Sequence, residues 1–294
     1  MISRLINKIS FFKKLPKVVV KPIFKILILF DEIFWNFRIT MFLLFKGKVS
    51  KLGSVISQLK ENGYAIFENY YSDDYISKIK NNCIKILDDL PVKELNTTKY
   101  IPNLVLPNGI RVEKLKGSIK IKGLNEKYSF FNEISNNLSL KTISAIYQLN
   151  WKPFLIYNLV HDGTFKHPVM GESAGEKMIA GQPHIDMPFH ELRCALALDN
   201  IDEDNGPTIV FKKSMREKKM KKNHLNIFLE RFGFDVRKES GHNLNKEDLD
   251  YLEENSEKVK ITCKKGDLIL LDLKSAHYQS ILKKKERHIL WHYF

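Results

Sequence analysis

Cysteine is scarce in this chain of 294 residues, and its three copies, Cys83, Cys194 and Cys263, are odd in number and far apart. No Cys-x-x-Cys pair occurs, which leaves no disulfide framework and no redox or zinc knuckle. Each lies in an apolar stretch, the setting of a buried free thiol in a reducing cytoplasm. No Cys–His pairing marks a nucleophile. Long uncharged apolar runs are missing too. The longest near the start covers residues 39–45, far short of the roughly 20 residues a spanning helix needs. No small-residue site follows it, so a cleaved signal peptide fits poorly. Internal repeats and low-complexity linkers are also lacking, and 44% apolar with 28% charged residues is the balance of a globular chain.

Charge of one sign is abundant but uneven. Residues 1–52 carry eleven Lys or Arg against Asp31 and Glu32, and so hold nine of the fourteen net positive charges. The remainder is only mildly basic, which argues against a nucleic-acid footprint. Residues 18–45 are dense in Ile, Leu, Phe and Trp, interrupted by Lys21, Lys25, Asp31, Glu32 and Arg38. That pattern predicts one or two amphipathic helices, a helical extension. Two settings stay open: packing on the main domain, or an interfacial helix on an anionic membrane. The chain is expected to be cytoplasmic, with peripheral membrane contact through residues 1–52 as the added possibility.

Residues 53–294 read as one domain. A short strand at 63–67 precedes Ser72, a good helix N-cap followed by Asp73 and Asp74 in the first turn. Apolar residues from Ile76 to Leu90 follow at helical spacing. A strand or hairpin is expected over 109–123, one or two helices over 130–149, and a strand over 151–160. From His184 onward short apolar strands dominate, at 194–198, 208–211, 258–263, 268–273 and 288–294, punctuated by turns at 202–206 and 265–267. Helices grouped ahead of short strands predict a mainly β fold with flanking helices: a jelly-roll, cupin-like double-stranded β-helix with an N-terminal helical extension. Residues 212–257 form a polar, largely helical insertion, expected as a lid over the cavity mouth together with the loop at 162–180.

The stretch Gly181-Gln182-Pro183-His184-Ile185-Asp186 sets an imidazole and a carboxylate two residues apart, which a strand would turn to one face. His277 offers a second imidazole. Two His and one carboxylate suit ferrous iron when three coordination positions stay open. With nine histidines in the chain, a lone His-x-Asp is weak evidence, and the weight lies in the order of features. His-x-Asp opens the β-rich half, His277 follows a Gly-Asp turn and strand, and Arg287 stands ten residues further on. His161, His167, His190, His288 and His292 read as ordinary histidines.

Residues 54–294 resemble the phytanoyl-CoA dioxygenase-like family of iron(II)/2-oxoglutarate oxygenases. The likeness rests on Glu61-Asn62-Gly63-Tyr64-Ala65-Ile66-Phe67, Pro183-His184-Ile185-Asp186, Ala197-Leu198-Asp199-Asn200 running to Asn205-Gly206-Pro207, Lys265-Gly266-Asp267-Leu268, and finally His277 and Arg287. The resemblance implies that His184, Asp186 and His277 bind Fe(II), that Arg287 pairs with the distal carboxylate of 2-oxoglutarate, and that O2 is the oxidant. Related halogenases carry a small residue at the position of Asp186, so the carboxylate implies a hydroxylase. The sequence departs from the family at Gln279, where a small hydroxyl residue is common, and at Lys212-Lys213-Ser214-Met215, where Pro-Gly-Ser-His is usual. Tyr157 and Asn158 are expected to supply the missing co-substrate contacts, beside Gln279, and Arg193 to meet an acidic group of the substrate. The substrate is expected to be a small molecule, with anionic and lipid-linked compounds among the candidates. Two rivals remain: another metal-dependent jelly-roll enzyme of the cupin type, and a non-enzymatic, membrane-associated binding protein with a vestigial site.

Overall fold

A computed structural model describes residues 16–47, 50–90, 101–115, 118–150, 152–160, 183–231, 243–280, 282–283 and 286–294. The chain opens on helix α1 (Lys17–Lys46) and α2 (Lys51–Asn62). Ser50 caps α2 by accepting the Gly53 N–H at 3.0 Å. The division at residue 52 therefore falls inside a helix. Strand β1 (Tyr64–Phe67) follows, then α3 (Asp73–Asp88), capped by Ser72 as its sequence predicts, with Asp73 and Asp74 in the first turn. Strands β2 (Ile101–Val105), β3 (Arg111–Leu115) and β4 (Ser118–Lys122) form a meander, of which β2 is not apparent from sequence. Three helices come next: α4 (Leu124–Lys127), α5 (Ser129–Ser135) and α6 (Leu138–Gln148).

The β-rich half comprises β5 (Phe154–Val160), β6 (Leu192–Ala197), β7 (Thr208–Phe211), β8 (Lys258–Ile261), β9 (Leu268–Asp272), β10 (His277–Gln279) and β11 (Arg287–Tyr293). Helices α7 (Met220–Arg231) and α8 (Lys246–Asn255) occupy the insertion between β7 and β8. The strands make two antiparallel sheets, β1-β9-β6-β11-β5-β4-β3-β2 and β10-β7-β8. This is the jelly-roll architecture with flanking helices that the strand pattern predicts.

Alternation along the large sheet separates two cores. One face sends Leu155, Tyr157, Leu159, Cys194, Leu196, Leu268, Leu270 and Leu290 against the helices. The other sends Ala195, Ala197, Ile269, Leu271 and Ile289 toward Val210 and Ile261 of the small sheet. A one-residue slip in any of these strands would exchange the two sets, so burial on both faces fixes the register. The turn before β9 needs Gly266, which has φ +92° and would place a Cβ 2.6 Å from the Tyr71 carbonyl oxygen.

Helix α1 shares the first core through Trp35, Ile39 and Leu43. A polar cluster pins it there. Glu32 meets Lys274 and lies 3.1 Å from His190 Nε2, while Asp272 holds His190 Nδ1 at 2.6 Å and accepts the Tyr147 hydroxyl at 2.7 Å. The Trp35 ring stacks on His190 with centroids 3.7 Å apart. Burial pushes the Glu32 carboxyl up, but His190 and Lys274 outweigh it and hold that group well below the carboxylate range. Burial and Lys274 push His190 down, yet the Asp272 and Glu32 carboxylates prevail and keep it above its ordinary value. The packing alternative for residues 1–52 thus holds for the inner side of α1.

Candidate metal centre

Pro183 to Met187 crosses beside the loop that ends in β10. His184 and His277 exchange backbone hydrogen bonds at 2.9 Å in each direction, and the Asp186 N–H donates to the Leu273 carbonyl at 3.1 Å. His184 makes isolated bridges, to His277 and to Asn243, and the stretch is not a full strand, yet the alternation expected of a strand survives. Ile185 points away into an apolar cluster with Phe211, Ile227 and Leu252.

The three side chains converge. His184 Nε2 stands 3.4 Å from Asp186 Oδ1 and His277 Nε2 stands 3.6 Å from Asp186 Oδ2. One ligand atom from each residue lies within 4.8 Å of the other two. Ligand atoms about 2 Å from one ion and at right angles sit about 3 Å apart, so small adjustments close this set on a metal. His277 Nδ1 donates to the Ser275 carbonyl at 2.9 Å, which leaves Nε2 as the lone-pair nitrogen facing the triad. Burial and the neighbouring His184 hold His277 below its usual range. Burial alone would raise Asp186, but the Arg193 guanidinium and the two imidazoles hold it well below the carboxylate range. Asp186 and His277 are thus in their metal-binding protonation states. Among the described residues, no other group of His, Cys, Asp or Glu is placed to hold an ion.

Arg287 is 1% exposed and lies on the inner face of β11, opposite Val160. One nitrogen donates to the Gly206 carbonyl, which also accepts from Gln279 Nε2 at 3.2 Å. Arg287 is thereby tied to β10, two residues beyond His277. Its Nε and Nη2 have no hydrogen-bond partner among the described residues. Burial pulls the guanidinium down to about 10, so it is still protonated at neutral pH. A Cβ at residue 206 would stand 3.3 Å from Arg287 Nη1, and Gly206 also has φ +64°, so glycine serves there twice.

The other expected contacts divide. Asn158 is buried on the same face of the sheet as Arg287 and accepts the Ser118 hydroxyl at 3.1 Å. Tyr157 requires correction. Neighbouring residues of a strand face opposite ways, so it joins the helix-facing core and its hydroxyl meets His288 Nδ1 at 2.6 Å. Arg193 meets a protein carboxylate instead: its Nη1 lies 2.8 Å from Asp186 Oδ2 and its guanidinium lies 4.4 Å over the Tyr293 ring. It holds a candidate ligand, a role missed by the sequence because residues 186 and 193 meet only through tertiary folding. His190 and His288 belong to structural networks, and His292 is buried. His161, His167 and the loop at 162–180 lie outside the described residues.

The described part of the insertion touches both the site and α1. Asn243 bridges to His184, and the Leu244 N–H donates to the Pro183 carbonyl at 2.9 Å. Helix α7 packs instead on α1, where Phe24 stacks on Phe228 with centroids 4.0 Å apart. The cysteines are free. Burial raises all three thiols, to about 12 for Cys263, so they are protonated and unreactive.

No family model and no curated relative matches the sequence. Solved structures do match the fold. The epimerase SnoN, solved with Fe3+, alpha-ketoglutarate and nogalamycin RO, aligns with a TM-score of 0.51 at 11% identity, covering 82% of both chains. EctD from S. alaskensis with bound Fe aligns with a TM-score of 0.50 at 15% identity, over 80% of this chain and 73% of that one. EvdMO1 aligns with a TM-score of 0.50 at 14% identity, over 82% and 49%. At such identities the likeness establishes architecture. This chain has the jelly-roll fold found in non-heme alpha-ketoglutarate-dependent enzymes, and its own His184, Asp186 and His277 form a candidate metal site within it.

Proposed function

We propose that this chain is an iron(II)- and 2-oxoglutarate-dependent oxygenase of the phytanoyl-CoA dioxygenase-like kind, hydroxylating a C–H bond of a small molecule. The observation that carries the reading is Arg287, a buried guanidinium with two nitrogens that find no hydrogen-bond partner among the described residues, in a jelly-roll fold that also holds a His-Asp-His set. A buried cation without a counter-charge is costly, and a carboxylate offering two oxygens in one plane removes that cost. A cupin-type enzyme needing no oxo acid would have no use for it.

Iron(II) with 2-oxoglutarate supplies the chemistry: dioxygen and the oxo acid yield succinate and CO2 while one oxygen atom goes to the substrate. The protein supplies placement. His184, Asp186 and His277 would hold the ion from one side and leave the other open. Arg287 would anchor the distal carboxylate, with Gln279 and Asn158 beside it. Arg193 would keep Asp186 ionised and oriented. A carboxylate at 186 fills the position that a halide would need, which favours hydroxylation. The substrate belongs to the lipid, saccharide or small-metabolite classes, and an anionic or lipid-linked compound suits the basic surface. We place the enzyme in the cytoplasm, with peripheral membrane contact through residues 1–52.

The test is a substrate-class screen of the Fe(II)-loaded protein with succinate as readout. Substrate-dependent succinate that disappears in His184→Ala supports the reading. A protein that binds no iron, or turns over substrate without the oxo acid, refutes it.

A further inference from the structure

Helix α1 turns its acids and Arg38 inward. Asp31 accepts the His190 N–H at 3.2 Å, Glu32 meets Lys274, and Arg38 donates to the Ile146 and Tyr147 carbonyls at 3.1 and 3.0 Å. On the far side Val19, Ile26, Phe30, Ile33, Phe37 and Leu44 recur at three-, four- and seven-residue spacings, the repeat of a single helix face. They are 45% to 72% exposed. At 1.5 Å per residue this stripe is roughly 37 Å long. Scattered exposed apolar side chains are ordinary, but a continuous stripe of this length marks a contact surface.

Beside its N-terminal half lies a cavity of about 820 Å³ between α1 and α7, lined by Lys21, Lys25, Arg216, Lys221 and Lys222 together with apolar residues such as Leu225. Glu32 is the one acid among the described residues of its lining, and that carboxylate is already committed to Lys274 and His190. Cations over a partly apolar cavity, beside an exposed apolar stripe, match the two parts of an anionic amphiphile. No helix among the described residues is long and apolar enough to cross a membrane, so the geometry is that of a helix lying in the interface. A two-fold contact with a second copy would bring the same cations along, with the acids of α1 already engaged.

We propose that this side of the protein docks on an anionic phospholipid bilayer, the α1 stripe lying among the acyl chains and the cavity taking a lipid phosphate. This deepens the peripheral-contact reading and is independent of the iron chemistry. Full-length protein is sedimented with vesicles of phosphatidylcholine alone or mixed with phosphatidylglycerol. The parent is expected to bind only the mixed vesicles, and less as salt rises. The Ile33→Glu/Phe37→Glu and Lys25→Glu/Lys221→Glu variants alter exposed positions and should each bind at least ten-fold more weakly, with melting and iron loading unchanged. Equal binding of the Lys25→Glu/Lys221→Glu variant would overturn the cavity site and leave peripheral contact standing. No sedimentation with either vesicle would overturn both. A dimer dissociated by Phe37→Glu, without vesicle binding, would assign the stripe to a second copy.

Discussion

Arg193 Nη1 reaches the Asp186 carboxylate at 2.8 Å, nearer than His184 at 3.4 Å or His277 at 3.6 Å. A cation so close to a candidate ligand has two opposing effects. It repels an incoming metal ion, and it fixes the carboxylate in its ionised form and in place. The second effect is expected to dominate, since outer partners of metal ligands typically contribute about 10–100-fold in affinity. Arg193→Met should therefore weaken iron or manganese binding by that order, measured by calorimetry. Tighter binding in the variant would mean that Arg193 competes with the ion.

The triad itself should respond more sharply. His184→Ala and Asp186→Ala each remove one of three ligands and are expected to lose iron and all succinate production. Retained iron content in either variant would exclude that residue from the centre.

Arg287 should act on the co-substrate and not on the metal. Arg287→Met is expected to raise the KM for 2-oxoglutarate by roughly thirty-fold or more, the equivalent of about 2 kcal/mol at the low end for a buried charge pair. Iron content should be unchanged. An unaltered KM would remove Arg287 from the oxo-acid site.

Docking of α1 should depend on pH in a definite window. Glu32 is held below its ordinary range, so its contribution is present above about pH 4.3 and is lost as pH falls from there. His190 is held above its ordinary range, so its contribution is complete below about pH 6.5 and is lost as pH rises through its raised value. The stability difference between the parent and Glu32→Gln, from denaturant midpoints, should thus peak between those limits and shrink on both sides. A difference flat across that span would show that the cluster does not couple α1 to the core.

Trp35 is fully buried between Tyr147 and His190. Trp35→Ala should cost about 3–5 kcal/mol, the usual range for a deleted core aromatic. A loss under about 1 kcal/mol in thermal or denaturant unfolding would show that α1 is not part of the cooperative fold.

Much of this was legible in the chain. The short apolar runs in β6, β9 and β11 mark strands buried on both faces, and Ser72 with Asp73 and Asp74 marks the start of α3, because these are local signals. The spacing of His184 and Asp186 and the position of His277 marked candidate ligands, and the packing of separate segments brings those three together. Tyr157 was misplaced for want of one register position, since a strand's direction of facing is set by its neighbours and not by its own residues. Strand β2 was missed because Pro102 and Asn103 give it no alternation to read.

The amino-acid order alone determined the kinds of element, the residues able to ligate a metal, and the basic, apolar character of the first 52 positions. Tertiary structure decided which charges meet. Asp186 and Arg193, Glu32 and Lys274, and Arg287 and Gly206 are joined only when separate segments pack, and each contact depends on a register or helix face that local sequence does not encode. It also decided that α1 buries one side and exposes the other. Burial is a property of what lies opposite a residue, and for Phe37 nothing in its own neighbourhood of the chain says what that is.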